Sequence, residues 1–201
     1  MLDPIPTSIT KQCLDDLVWL ITFIVNASIS RGIVPPKFKQ AIVTPLLRKP
    51  GLDSNDMKNF RPVSNLSFIS NILEKVVLIQ LKNHLFGNNL LEIFQSAYKQ
   101  NHSTETAVLS VLDGLLCSAD EQLVFLVALF DLSAAFDTLD RSILPKRLET
   151  TYGVRGTILD WFVSYLSGRS RSVIVDGAVS ASRSLVYGVP QGSVLGPVLF
   201  T

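Results

Sequence analysis

The stretch Gln122-Leu123-Val124-Phe125-Leu126-Val127-Ala128-Leu129-Phe130-Asp131 decides how this chain is read. Its apolar run is continuous rather than alternating, the pattern of a strand buried on both faces, and it drives straight into a carboxylate. A charge at the end of such a strand is costly to bury unless a cation or a hydrogen-bond donor meets it. Its place at the strand's end, just before Ser133-Ala134-Ala135, leaves Asp131 facing a cleft. On the residues alone the carboxylate is a metal ligand, a helix N-cap or an ordinary surface group.

Outward from this stretch, helices and short strands follow one another. Residues 8–31 carry Ile9, Cys13, Leu14, Leu17, Val18, Ile21, Ile24 and Val25 at helical spacing, with Gly32 as a stop. Residues 40–47 read as a short strand whose Pro45 points to an edge position. Residues 67–86 predict an amphipathic helix with Ile69, Ile72, Leu73, Val76 and Leu85 on one face, closed by Gly87-Asn88-Asn89. Ser103 can cap a helix running to about Ser118, with Glu105 in its first turn. Residues 142–151 and 155–167 predict two further helices. Then 172–176 reads as a strand, Asp176-Gly177 as a hairpin turn, and 178–187 as the returning chain. The class is α+β, with helices packed on a small, mostly antiparallel sheet.

Composition narrows the function. Hydrophobic residues make up 47% of the 201 and charged ones 17%, against about 25% charged in an ordinary soluble domain. The deficit reads as surface meant to be covered by neighbours; a protein rich in buried helices would show it too. Net charge is +1, so tight nucleic-acid binding would rest on local groups: Arg48, Lys49, Lys58 and Arg61, and Arg169, Arg171 and Arg183. Each group reads equally well as solvated loop charge. Cys13 and Cys117 lack metal-ligand spacing and read as reduced core residues of an intracellular protein, nuclear or cytoplasmic. No secretory signal or membrane-length apolar segment is visible. There is no Gly-rich Lys-Ser/Thr loop, no Gly-x-Ser-x-Gly elbow and no His/Cys cluster, which argues against a P-loop ATPase, an α/β-hydrolase or a zinc enzyme.

A second stretch, Gly188-Val189-Pro190-Gln191-Gly192-Ser193, is a turn with an amide at its centre. Proline fixes the approach, glycine removes the side chain that would collide with a substrate, and glutamine offers donor and acceptor together. The tripeptide Pro190-Gln191-Gly192 alone fits any tight turn. The longer run to Leu195-Gly196-Pro197 is far more specific. Preceded by Leu129-Phe130-Asp131-Leu132-Ser133-Ala134-Ala135-Phe136-Asp137, it resembles motifs B and A of reverse transcriptases, specifically those of non-LTR (LINE-type) retrotransposons. Asn59-Phe60-Arg61-Pro62-Val63-Ser64 resembles that family's first fingers motif, and the run from Gln95 to Thr104 its second. The resemblance runs from around Pro4 to Thr201.

It implies a partial right-hand polymerase: residues 1–50 an N-terminal extension, 51–120 a fingers-like region, 121–201 a partial palm in which Asp131 and the 172–187 hairpin lie side by side. It implies RNA-directed DNA polymerisation with two Mg²⁺ (or Mn²⁺) ions, an RNA template, a DNA primer and deoxynucleoside triphosphates. Asp131 would bind both metals and the backbone carbonyl of Leu132 one of them. Phe136 would lie beneath the incoming sugar and exclude a 2′-hydroxyl; a core aromatic is the other reading. Gln191 and Gly192 would line the nucleotide and template side. At the second fingers motif the family's Gly-Phe-Arg is replaced by Ala97-Tyr98-Lys99. Lys99 keeps the charge on the triphosphate but loses the planar fork, and loss of glycine at Ala97 strains the turn. Arg61 reads as a partner for template or triphosphate, or as half of a surface ion pair. Asp137 reads as a structural or capping residue and His102 as a loop residue. The aspartate pair of motif C is not among these residues, so little or no polymerisation is expected of these 201 residues alone. The alternatives are a non-catalytic remnant that binds nucleic acid or protein, and a decayed copy without a role.

Overall fold

The computed structural model describes residues 2–131 and 136–201. The chain opens with two helices, α1 (Thr7–Gln12) and α2 (Leu14–Arg31). The single helix expected over 8–31 is broken at Cys13, which lies outside both. Strand β1 (Gln40–Leu47) follows, then β2 (Phe60–Asn65), α3 (Phe68–Gly87) and α4 (Thr104–Asp120). After the central stretch come α5 (Ile143–Thr150), α6 (Thr157–Leu166), β3 (Ser170–Val175), β4 (Ala178–Val179), β5 (Arg183–Ser184) and α7 (Gly196–Phe200).

Local signals place most of these elements. The Ser67 side chain caps α3 by accepting from the Ser70 N–H, and the Asp3 carboxylate accepts from the Phe68 N–H. Ser103 and Thr106 form a reciprocal capping box at the start of α4. Asp176 and Gly177 both adopt positive φ, at 49° and 82°, and turn β3 back into β4. Strand β2 was not anticipated.

The sheet is small and mixed, in the order β2-β1-β3-β4, with β5 also on β3. Antiparallel β1 and β2 run in register from Ile42↔Asn65 to Leu47↔Phe60. Parallel β1 and β3 pair only from Gln40↔Ser170 to Val43↔Val173. Beyond Val43, then, β1 has one neighbour among the described residues, and Pro45 stands there opposite Pro62, where a missing N–H does little harm.

The core lies where α2, α3, α5 and α6 meet beneath the 189–199 segment. Trp161 and Phe162 are fully buried, with ring centroids 5.4 Å apart at 89°, and Trp161 stacks on Tyr165 at 5.4 Å and 11°. The indole N–H donates to Ser28 Oγ (3.1 Å), whose own hydroxyl donates to the Ile33 carbonyl (2.7 Å), so no polar group of this contact is stranded. The same device fastens the start of β1: Ser164 Oγ accepts from the Val34 N–H (3.0 Å) and from Lys39 Nζ (3.2 Å).

Two further expectations fail, the buried strand before Asp131 and the burial of the cysteines. Residues 123–130 form no strand, and Val124 and Leu126 are 100% and 95% exposed. A strand needs a neighbour for its N–H and C=O groups, and among the described residues none pairs with it. Helix α4 buries none of its residues, so Leu109, Leu112 and Leu116 also face outward. The cysteines are free but exposed rather than in the core: Cys13 sits at the break before α2 and Cys117 on this unpacked α4. No described helix is long and apolar enough to cross a membrane.

Trp161→Ala is expected to lower unfolding free energy by about 3–5 kcal/mol, measured by urea denaturation. Trp161→Phe, which keeps most of the ring but loses the Ser28 bond, should lower it by about 1–2 kcal/mol.

Candidate functional site

The 188–196 turn is held by backbone contacts from two sides. The Gly188 N–H donates to the Leu139 carbonyl (2.8 Å) and the Val189 N–H to the Phe136 carbonyl (2.9 Å). This is the direct tie between the segment following Asp131 and the turn. Two residues on, the Ser64 N–H of β2 donates to the Gln191 carbonyl (2.8 Å). Both close approaches need glycine. Gly188 has φ 73°, and a Cβ there would run into the Phe136 carbonyl oxygen and lie 2.7 Å from Asp137 Cα. Gly192 has φ 109°, and a Cβ would lie 2.9 Å from the Ser64 oxygen. The hydroxyl of buried Ser193 accepts from the Gly196 N–H (3.1 Å) and leads the chain into α7.

Gln191 is half-buried and Gly192 exposed. Gln191 lines a small cleft between the turn and the sheet with Lys39, Ser64, Asp137 and Arg171. Burial, and Arg169 nearby, lower the Lys39 pKa. Phe136 is half-buried against the core, its ring 5.6 Å from that of Phe200 at 54°, a contact that favours the core-aromatic reading. Asp131 is exposed, and Leu132 lies outside the described residues. Among the described residues no group of three or more His, Cys, Asp or Glu could hold a metal ion.

Neither Arg61 nor Lys99 lines this cleft, whereas Ser64 of the first fingers motif does. Arg61 is exposed on β2 opposite Leu46. Lys99 lines a separate, largely apolar cavity with Leu81, Leu85, Leu148 and Phe200. The strain expected at Ala97 falls one residue later, on Tyr98, whose φ is 59°. His102 is an exposed loop residue, as expected, with Nδ1 2.9 Å from the Gln100 carbonyl oxygen.

Three residues around the turn were missed or misread. Arg141 straps the chain entering it, donating through Nε to the Gly188 carbonyl (2.8 Å), through Nη2 to Tyr187 (3.2 Å) and through Nη1 to Leu185. Desolvation, with Arg169 nearby, holds its guanidinium down to about 10. Arg169, grouped in the sequence with surface cations, is 2% exposed, whereas Arg171 and Arg183 are exposed and face each other across β3 and β5. Glu74 is 1% exposed beneath the turn. One sequence signal could have found it: a carboxylate inside the stripe formed by Ser70, Leu73, Val77 and Leu81.

Gly188→Ala should cost about 2 kcal/mol or more, because backbone atoms rather than a side-chain tip must give way. Gly51→Ala, also at positive φ (83°) but with nothing within 4 Å, serves as the control for conformation alone. Thermal unfolding of the two variants measures the difference.

Residues 47–201 match a family model described as reverse transcriptase (RNA-dependent DNA polymerase). The probable RNA-directed DNA polymerase from transposon X-element of Drosophila melanogaster is 27% identical over 180 residues, 90% of this chain and 20% of that protein. The RNA-directed DNA polymerase from mobile element jockey of the same species is 26% identical over 187 residues, 93% of this chain and 20% of that protein. A putative 115 kDa protein in its type-1 retrotransposable element R1DM is 27% identical over 169 residues, 84% and 16% of the two chains. The chain thus spans 20% or less of the length of these relatives. With the match covering both the 129–137 stretch and the clamped 188–197 turn, this chain belongs to the reverse transcriptase (RNA-dependent DNA polymerase) family, in the form carried by LINE-type retrotransposons.

Proposed function

We propose that this chain forms the fingers and part of the palm of a retrotransposon enzyme that copies an RNA template into DNA. A DNA primer and deoxynucleoside triphosphates would be its other substrates. In this reading residues 1–50 are an extension, 51–120 the fingers-like region and 121–201 the partial palm. One observation carries the proposal: the bonds from Gly188 and Val189 to Leu139 and Phe136 seat the turn directly against the segment that follows Asp131.

Within this arrangement Gln191 and Gly192 offer an amide and a bare backbone to a nucleotide, and Phe136 supplies bulk on the segment clamped to them. Arg61 and Lys99 would meet phosphates as point charges or hydrogen-bond donors. Divalent ions generally used by the family would neutralise charge on the transferring phosphoryl group, with Asp131 and the Leu132 carbonyl their assigned contacts. One exposed carboxylate does not make a metal site, so no catalytic step is assigned to the described residues alone.

Fluorescence anisotropy with a labelled RNA-template/DNA-primer duplex tests the reading. Binding should weaken with salt. Arg61→Ala or Lys99→Ala should each lower affinity several-fold and reduce the salt slope by about 1. Asp131→Asn should leave binding intact and remove any primer extension seen with Mg²⁺ or Mn²⁺. Absence of duplex binding at about 50 mM salt would contradict the proposal.

A further inference from the structure

Glu74 sits in the second turn of α3, on the face that buries Leu73, Val77 and Leu81, and is 1% exposed. Its pKa is raised, burial being the largest cause and outweighing Arg169 and the two backbone N–H groups that favour the charge. A buried group of this kind is poor material for a core: apolar residues of similar volume commonly do as well or better. Its contacts point to another use.

Oε2 accepts from the Val194 N–H (2.8 Å) and the Leu195 N–H (3.1 Å), residues 120 and 121 positions along the chain. Oε1 lies 3.8 Å from Arg169 Nη2. Arg169 is itself fixed: Nε donates to the Tyr165 carbonyl (2.6 Å), and the guanidinium lies 4.1 Å from the Tyr165 ring centroid. The Arg169 carbonyl also accepts from the Leu185 N–H (2.8 Å), on the segment that leads into Gly188. One carboxylate therefore ties α3 to the C-terminal side of the turn, while β2 holds its centre through Ser64 and Gln191.

We propose that Glu74, backed by Arg169, is a positioning residue. By accepting both N–H groups it sets the path of residues 191–195, and so the direction in which Gln191 and Gly192 face a bound nucleotide. The identity of that ligand rests on the function proposed above; the mechanical part does not. Glu74 touches no substrate itself.

The test uses the whole 201-residue chain, amide hydrogen exchange and thermal unfolding. Glu74→Gln keeps an acceptor oxygen for both N–H groups. The double variant Glu74→Met/Arg169→Met removes both charges and fills the space with apolar atoms. Expected is exchange at the Val194 and Leu195 amides faster by about tenfold or more in the double variant. Amides of α6 should stay protected at near wild-type Tm, and Glu74→Gln should keep most of the turn's protection. If the double variant folds with Val194 and Leu195 as protected as in the wild type, Glu74 is a core residue only and the proposal is overturned. Should the double variant not fold, Glu74→Ala beside Leu81→Ala decides. Acceleration confined to 191–196 in the first supports positioning, and equal acceleration throughout in both contradicts it. Binding of dTTP provides a separate reading: loss in the double variant with retention in Glu74→Gln is expected. No binding by the wild type would count against the nucleotide assignment, while exchange still decides the role of Glu74.

Discussion

Two backbone hydrogen bonds, from Gly188 to Leu139 and from Val189 to Phe136, join the parts of this chain that carry its family resemblance. They form only because Gly188 has no side chain; any Cβ would occupy the space of the 136–137 backbone. Arg141 reinforces the junction by collecting the carbonyls of Leu185, Tyr187 and Gly188 on one guanidinium. A cation used in this way is fixed by geometry, and the fold bears its desolvation because the carbonyls replace water.

Around that junction the structure is a set of long-range ties on short elements. Ser28, Trp161 and Ile33 share one hydroxyl; Val34, Lys39 and Ser164 share another. Parallel pairing of β1 with β3 brings the N-terminal part of the chain against the segment that leads into the turn. Glu74 completes the enclosure from below. By contrast, α4 and residues 123–130 contribute little to the described core, and their apolar side chains face outward.

What the sequence made legible was local. Ser67 and Ser103 announce helix starts through hydroxyls that need no distant partner, and Asp176-Gly177 announces a hairpin because two successive positive φ angles demand it. The turn at 188–193 was legible too, since glycine, proline and an amide at fixed spacing describe backbone geometry directly. What failed was non-local. The apolar run before Asp131 has the composition of a buried strand, yet composition does not supply the neighbour a strand needs. Arg169 reads in the sequence as one of a group of loop cations and Glu74 stands out in no motif; only the fold brings the two within 3.8 Å. Phe136 kept two readings in the sequence, and its contact with Phe200 weights the packing one.

Residues 136–139 and 188–189 form one rigid junction that presents the Gln191-Gly192 turn. Through-hydrogen-bond scalar couplings measured by NMR test it most directly. Couplings are expected from the Gly188 nitrogen to the Leu139 carbonyl carbon and from the Val189 nitrogen to the Phe136 carbonyl carbon, with both amides protected from exchange. Absence of both couplings, with the two amides exchanging as fast as those of residues 123–130, would contradict it.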